Sequence, residues 1–228
     1  ALPTPRQVSS TCLGDFGGNM ATSDTEVTIC SHALQLLGDS AISSFADGTT
    51  SANLSAELYP HTRDSLLIKY PWSWSIKKVD LARSATAPVN EFSYAYPMPS
   101  DSLTGVPRAV FNSTDAGASP ITAGWEVYEQ AIITDQENIT IDYQFRPLEQ
   151  VMPSYFVQLL KYVMASILAE PVTDQTQKAA YFQQLAYGSP AEGGRGGYFR
   201  QAAAVDGMGS GTSFIQDFPL IDTRLTLA

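Results

Sequence analysis

The spacing of apolar residues changes twice along this chain, and that change restricts the fold more than any single motif does. Apolar residues recur at helical spacing over residues 23–70, alternate with polar residues within 71–152, and return to helical spacing over 153–206. A helical period places an apolar stripe on a helix, whereas alternation places an apolar face on a strand. The sequence therefore predicts an α+β fold: an antiparallel helical bundle, 23–70 and 153–206, with an inserted β-rich lobe, 71–152.

Two helices are predicted before the lobe. Ser23 and Glu26 form a capping-box pattern ahead of a first helix that ends at Gly38. Ser51 is in a position to cap a second helix, and Pro60 within it is expected to kink or divide that helix because proline removes a backbone donor.

Helical spacing returns after the lobe. Pro153 suits the first turn of a third helix, which is predicted to be the most buried. Thr173 is expected to cap a fourth helix with Tyr181 and Leu185 on its apolar face. A shorter helical piece is predicted over 198–205, after an interruption rich in glycine.

The lobe is predicted to contain antiparallel strands. Phe92, Tyr94 and Tyr96 alternate with small polar residues, and the segments 125–134 and 138–145 flank a polar turn as the two arms of a half-buried hairpin would. Residues 112–124 are rich in Ser, Thr, Ala and Gly and predict a loop. The nearby Trp72 and Trp74 could stack on a sugar or a base, but beside a helix end they are expected to be core anchors.

Both ends of the chain are expected to lie outside this core. Residues 1–22 predict an extended N-terminal arm, and residues 207–228 predict a C-terminal docking tail whose glycine-rich start gives it reach. The apolar part of that tail, the tail hook, is predicted to bind in a groove, either of a partner or of its own subunit. The residues of the tail hook are Phe214, Ile215, Phe218, Pro219, Leu220, Ile221, Arg224 and Leu225.

The charge balance disfavours several classes of protein. With 13 Lys and Arg against 23 Asp and Glu, the net charge is −10, which opposes tight nucleic-acid binding but allows DNA to pass without adhesion. The most apolar stretch, 155–169, is interrupted by polar residues and is too short to span a bilayer, so no membrane segment is predicted. The first residues lack the pattern of an export signal.

No familiar catalytic or cofactor motif occurs, so neither a catalytic centre nor a cofactor is predicted. The glycines of 193–197 superficially suggest a phosphate loop, but they lack the Lys-Ser/Thr ending and a preceding strand, which favours a flexible joint. A metal site of Cys30, His32 and His61 is conceivable, although the spacing is not that of a known metal motif.

Two groups of ionisable residues are possible catalytic sites. Glu57, His61 and Asp64 could share one helix face and polarise one another, but an exposed polar face is the favoured explanation. Separately, three acidic residues of the lobe could in principle supply the pair that glycoside hydrolysis needs. These three are Glu126, Glu129 and Asp142.

A series of short motifs runs in a fixed order over roughly residues 26–205. They are Ala33 to Gly38, Ile42 to Phe45, Leu58-Tyr59, Arg63-Asp64, Leu67, Tyr70-Pro71-Trp72, Lys77, Leu81-Ala82, Tyr96 to Pro99 with Asp101, the strand 124–134, Ile141 to Phe145 with Arg146, and Leu168-Ala169. In this order the chain resembles the tail tubular protein A family, the head-to-tail adaptor or gatekeeper proteins of short-tailed bacteriophages.

The resemblance implies a non-enzymatic structural protein of the virion neck, assembled in the host bacterial cytoplasm. It implies a homo-oligomeric, dodecameric ring beneath the portal protein, with double-stranded DNA passing through its bore and the tail nozzle protein on its lower face. The tail hook would then enter clefts of the portal, and the loop 112–124 would meet the nozzle or a neighbouring subunit. The chain departs from the family in its additional first 19 residues and its interrupted fourth helix.

Two alternatives accompany this interpretation. One is a virion-associated cell-wall hydrolase that uses carboxylate acid/base chemistry. The other is an ordinary acidic binding module of a cell, which would stay monomeric and ignore a phage portal.

Overall fold

A computed structural model describes residues 24–113 and 118–209; the N-terminal arm and the tail hook lie outside these ranges. Within them the chain forms helices and two antiparallel three-stranded sheets, which confirms the predicted α+β class. The helices are α1 Glu26–Leu37, α2 Thr50–Ile68, α3 Ser154–Thr173, α4 Thr176–Tyr187 and α5 Gly197–Gly207. The strands are β1 Ile76–Asp80, β2 Tyr94–Pro97, β3 Ala109–Phe111, β4 Trp125–Tyr128, β5 Ala131–Thr134 and β6 Thr140–Gln144.

The first two helices begin at caps other than those expected. Thr25, not Ser23, caps α1, because the hydroxyls of Thr25 and Thr28 each accept the other residue's backbone N–H, at 3.3 and 2.7 Å. Thr49, not Ser51, caps α2 by accepting from a backbone N–H in its first turn. Both predictions were wrong by two residues, since a threonine two positions after Ser23 and another two positions before Ser51 offer the same capping hydroxyl.

Pro60 does not divide α2, so this part of the prediction was wrong. The helix runs through it from Thr50 to Ile68, with Pro60 itself exposed. Tyr59 and Leu66 on either side are buried, so packing of the apolar face stabilises both halves. Tertiary contacts thus outweigh the roughly 3 kcal/mol that an interior proline costs a helix.

The larger core surrounds α3, which contacts each of the other four helices. Phe156, Leu160 and Met164 on α3 are fully buried, together with Leu34 of α1 and Leu67 of α2. The prediction that the third helix is the most buried is therefore consistent with its central place among the described helices.

The start and the buried face of α4 differ from the prediction. Thr173 is the last residue of α3, not a cap, and its hydroxyl donates to the carbonyl of Ala169 at 2.6 Å. Asp174 then ends α3 in a left-handed conformation with φ 55°. The buried residues of α4 are Phe182 and Ala186, whereas Tyr181 is 62% exposed and Leu185 36% exposed.

The strands pair differently from the predicted hairpin. One sheet has the order β1-β6-β3 and the other β2-β5-β4, so 125–134 contains two strands joined by a tight turn and 138–145 belongs to the other sheet. In the first sheet Val79 and Val110 both lie opposite Ile141. Their inner faces, with Tyr96 and Ile132 of the second sheet, form a second, smaller core.

The predicted core role of the two tryptophans is confirmed. Trp72 is fully buried, and its indole nitrogen donates to the Leu66 carbonyl at 3.3 Å. Its ring lies 5.1 Å from Phe156 and 5.9 Å from Phe199, edge to face in both cases. Trp74 is half-buried, with its ring 4.8 Å from Phe156.

Among the described helices, none combines the length and apolar character that a membrane crossing requires.

Candidate functional site

A row of alternating charges joins α2 to the segment between β6 and α3. The Arg63 guanidinium donates to Glu149 at 2.7 Å and to the adjacent Asp64 at 3.1 Å. Arg146, just after β6, donates two hydrogen bonds to the same Asp64, at 3.0 and 2.6 Å. We call Arg63, Asp64, Arg146 and Glu149 the junction cluster, because its members tie the helices to the chain leaving the sheet.

The electrostatics of the junction cluster favour fixed charges. Burial alone would lower the pKa of Arg63, but its hydrogen bonds to Glu149 and Asp64 outweigh burial and raise that pKa. Burial, and then the charge of Glu149, raise the pKa of Tyr59, whose hydroxyl donates to Glu149 at 3.3 Å. Arg63 therefore stays protonated at neutral pH and Tyr59 stays neutral, so neither is placed to transfer protons in a reaction.

Gln144 makes a second connection between sheet and helix. It is the last residue of β6, and its side-chain amide donates to the carbonyls of Leu67 at 2.8 Å and Tyr70 at 3.1 Å. These carbonyls belong to the last turn of α2 and the residues after it, where α-helical bonding leaves acceptors unsatisfied. The end of α2 is therefore capped by a residue of the sheet.

Asp101 makes a third connection, at the face of the β1-β6-β3 sheet opposite to Gln144. Its carboxylate accepts from Lys77 at 3.0 Å and from the hydroxyl of Tyr143 at 2.8 Å. Although burial acts in the other direction, these two donors lower the pKa of Asp101. Burial, and then Asp101, raise the pKa of Tyr143 to about 12. This pair, too, is a structural connection.

Asp206 anchors α5, from which the docking tail departs. One carboxylate oxygen accepts from the Ser73 backbone N–H at 2.9 Å, and the other accepts from the Ser73 hydroxyl at 2.8 Å and the Tyr155 hydroxyl at 2.7 Å. Asp206 is only 6% exposed. Burial, and then the bond to Asp206, raise the pKa of Tyr155. The last described residues thus leave from a fixed point beside Ser73.

Of the two predicted binding segments, the structure describes only part of one. All eight residues of the tail hook lie outside the described residues, and 114–117 of the loop 112–124 do too. The second part of that loop is attached to the sheets: the Ile121 N–H donates to Val110 at 2.8 Å, and the Trp125 indole donates to Ile121 at 3.2 Å.

The three carboxylates considered for glycoside hydrolysis do not share one cleft. Glu126 and Glu129 line the same open groove on the β4–β5 hairpin. Asp142 lies on β6 of the other sheet, 3.6 Å from the amine of Lys78. The predicted set is therefore divided between two surfaces.

The other candidate sets have different environments. Glu57 and His61 of α2 are exposed, whereas Asp64 of the same helix is paired with Arg146. Cys30 is buried, and burial, then the charge of Glu26, raise the pKa of its thiol to about 12, which disfavours the thiolate that a metal needs. Among the described residues no three His, Cys, Asp or Glu side chains are grouped so as to hold a metal ion.

The glycine-rich segment forms a hydrogen-bonded loop, and its role as a flexible joint stays a prediction. Gly196 donates to the Tyr187 carbonyl at 2.9 Å, and the Ser189 N–H donates to the Glu192 carboxylate at 2.8 Å. A Cβ at Gly188 would lie 2.7 Å from the Gly197 nitrogen, and one at Gly197 would lie 2.5 Å from the Gly188 nitrogen. Glycine is favoured at both positions because two backbone segments meet there and both residues have a positive φ, 78° and 54°.

Sequence reasoning missed several residues of these connections. Arg63, Asp64, Asp101 and Arg146 appear among the ordered motifs, but Asp206 gave no signal, because its partners are 51 and 133 residues away in the chain.

Searches against protein-family models and against curated proteins find no match to this chain.

Proposed function

We propose that this chain is a structural adaptor of the neck of a short-tailed bacteriophage. It forms one subunit of a dodecameric ring between the portal protein and the tail nozzle protein, is assembled in the host cytoplasm and has no catalytic centre. The proposal rests on the resemblance carried by the ordered motifs from residue 26 to 205.

One structural observation supports it most directly. The charged residues of those motifs, Arg63, Asp64 and Arg146, bond to one another across the boundary between helices and sheets. A subunit that must keep two partners at a fixed separation needs such a connection, whereas a catalytic group needs a free functional atom. The role of these residues is therefore mechanical.

The charge of the chain is compatible with a DNA conduit. A net charge of −10 means that a ring of such subunits repels the phosphates of a duplex on average. DNA would pass through the bore without a specific contact.

The fixed exit at Asp206 also suits the tail. A tail that starts from a rigid point and continues through a glycine-rich tether can reach only the volume around that point, which favours docking on an adjacent partner. We assign the tail hook, residues 214–225, to the portal.

The first experiment tests the function itself. The full chain is mixed with the purified portal, and rings are sought by negative-stain microscopy and co-sedimentation. We expect ring formation on the portal. A chain that stays monomeric and does not co-sediment would overturn the adaptor proposal in favour of an ordinary acidic binding module.

The second experiment tests the hook. A chain that ends at Gly209 keeps α5 and Asp206 and should remain folded by circular dichroism, but should lose portal binding. A full-length variant with Phe214→Ala, Phe218→Ala and Leu220→Ala should behave in the same way. Normal portal binding by both variants would remove the hook assignment while leaving the adaptor role intact.

A third measurement concerns the alternative function. If the chain is a cell-wall hydrolase, the isolated protein clears a suspension of purified peptidoglycan, and Glu126→Gln abolishes the clearing. We expect no clearing, because glycoside hydrolysis needs two carboxylates on either side of the scissile bond. Glu126 and Glu129 instead lie along one open groove of the β4–β5 hairpin, and Asp142 lies on the other sheet.

A further inference from the structure

The outer face of the β2-β5-β4 sheet carries a groove that the proposed function does not use. The cross-strand register places Ala95, Ile133 and Glu126 in one row across the three strands, and Ala131 and Tyr128 in the next row. The opposite face of the same strands belongs to the smaller core. Small alanines therefore form the floor of an open depression on the outside of the sheet.

A loop forms the second wall of this groove. Residues 88–91 line the groove together with strand residues of the outer face, among them Tyr128. Val89 is fully exposed and Tyr128 is 63% exposed. Two apolar side chains thus flank the groove without being covered by any part of the chain that the structure describes.

The rim of the groove is acidic. Glu91, Glu126 and Glu129 all line it, and none of the three forms an ion pair with a residue in 24–113 or 118–209. Asp64, Asp101 and Glu149, in contrast, each form an ion pair with an Arg or a Lys. The groove therefore combines an apolar floor with three uncompensated negative charges.

The turn that carries Glu129 is energetically unfavourable. Glu129 and Gln130 connect β4 to β5 with φ angles of 47° and 63°, as in a type I′ hairpin turn, in which Asn-Gly is preferred. A residue with a Cβ costs roughly 1–2 kcal/mol in this conformation. Glycine would be more stable at either position, so the chain keeps a carboxylate at the groove at the expense of stability.

We propose that this acidic groove binds an extended segment of a partner polypeptide in which Lys or Arg residues alternate with apolar ones. In an extended segment alternate side chains point to opposite sides, so apolar residues can face the alanine floor while the cationic ones reach the rim. Charge complementarity decides the choice of occupant, since three unpaired glutamates disfavour an acidic or neutral segment. This binding site is independent of the adaptor proposal.

The test uses a defined probe. An acetylated, amidated ten-residue peptide of alternating Lys and Val is titrated into the full-length, isotope-labelled protein at low salt, and a peptide with Gln in place of Lys serves as the control ligand. We expect amide shifts confined to residues 88–95 and 126–133 with the Lys peptide alone. Shifts spread over the whole surface, or equal binding of the Gln peptide, would overturn the proposal.

Matched variants identify the residues responsible. Glu91→Gln and Glu126→Gln should each weaken binding about three-fold and together about ten-fold, as expected for exposed ion pairs. Glu57→Gln, on the exposed face of α2, should leave binding unchanged. If the double variant Glu91→Gln, Glu126→Gln binds the Lys peptide as tightly as the parent protein does, the groove is not the binding site.

A further variant separates binding from stability. Glu129→Gly should raise the melting temperature, because glycine relieves the turn, and should weaken the peptide at the same time. A binding loss caused by unfolding would instead accompany a lower melting temperature. Two other outcomes would also contradict the proposal. The first is that Ca²⁺ alone causes the same amide shifts. The second is that a higher protein concentration without peptide causes them, which would indicate a second copy of the chain as the occupant.

Discussion

Arg63 and Glu149 are 86 residues apart in the chain, yet their side chains meet at 2.7 Å where α2 passes the start of the segment leading into α3. Both side chains are only 14% exposed. A charge in such a place cannot regain full hydration if its partner is removed, so the two residues depend on one another.

Replacement of one member of this pair should destabilise the fold. We expect Glu149→Gln to lower the free energy of unfolding by about 2 kcal/mol, because hydrogen bonds to charged groups contribute about 1.5–3 kcal/mol. Urea denaturation measures the change. The double variant Arg63→Met, Glu149→Leu should recover part of the loss, since it leaves no buried charge unpaired. A single variant as stable as the parent would contradict the structural role of the pair.

Loss of the Asp206 carboxylate should release α5. Asp206→Ala removes the acceptor of three hydrogen bonds and leaves the Ser73 N–H and the Tyr155 hydroxyl without it, for which we expect about 3 kcal/mol of destabilisation. Hydrogen exchange should become faster in α5 before it does in α3. Ser73→Ala is the control, because its backbone N–H still donates; an equal loss in both variants would argue against the carboxylate as the anchor.

Replacement of Pro60 should increase the stability of the protein. Pro60→Ala should stabilise the protein by about 2 kcal/mol, because alanine restores a donor inside α2 and removes a steric conflict, less the entropy that proline withdraws from the unfolded chain. Thermal unfolding provides the measurement, with Pro71→Ala, outside the helix, for comparison. A decrease in stability would mean that the proline ring makes contacts that alanine cannot replace.

The alkaline limit of stability should depend on Tyr143. Its pKa is raised from the ordinary 10 to about 12 in the folded protein, so the folded state holds this proton more tightly than the unfolded chain. The corresponding stability is fully present below pH 10 and is lost as the pH rises through about 12. Tyr143→Phe should therefore lose less stability than the parent over this range. The test is the fraction unfolded at a fixed urea concentration, measured for the parent and for Tyr143→Phe between pH 10 and pH 12. Identical pH profiles of the two proteins would contradict the prediction.

Cys30 should be protected from thiol reagents. Its side chain is buried and its pKa is raised to about 12, so very little thiolate is present at neutral pH. In a Cys12→Ser background, alkylation of Cys30 by iodoacetamide should occur only at the rate of unfolding and accelerate in urea. Rapid alkylation under native conditions would show that α1 opens locally.

Periodicity predicted the kind of each element better than its partners. Within the predicted strand 138–145, Ile139, Ile141 and Tyr143 alternate with polar residues, and all three are buried. The pairing was wrong, because alternation does not identify the neighbouring strand: β6 joins β1, which begins more than sixty residues earlier. The true hairpin turn, Glu129-Gln130, contains none of the residues that usually mark such a turn.

The predicted buried face of α4 was wrong. Tyr181 and Leu185 were expected inside, but Phe182 and Ala186, each one position further along, are buried. Apolar spacing did not separate these two neighbouring faces, because both carry apolar residues. For the junction cluster, the motif residues Arg63 and Asp64 were visible in the sequence. Their partner Glu149 was not, because a long-range contact leaves no local pattern.

The amide of Gln144 has a mechanical consequence. This amide bonds the end of α2 directly to the last residue of β6. A force applied to the sheets is therefore transmitted to the helices before the short connection at Tyr70 is extended. Pulled from its two ends in an optical trap, the molecule should rupture in one step. Gln144→Ala should split that event into two, at lower force, as the sheets and the helices yield separately.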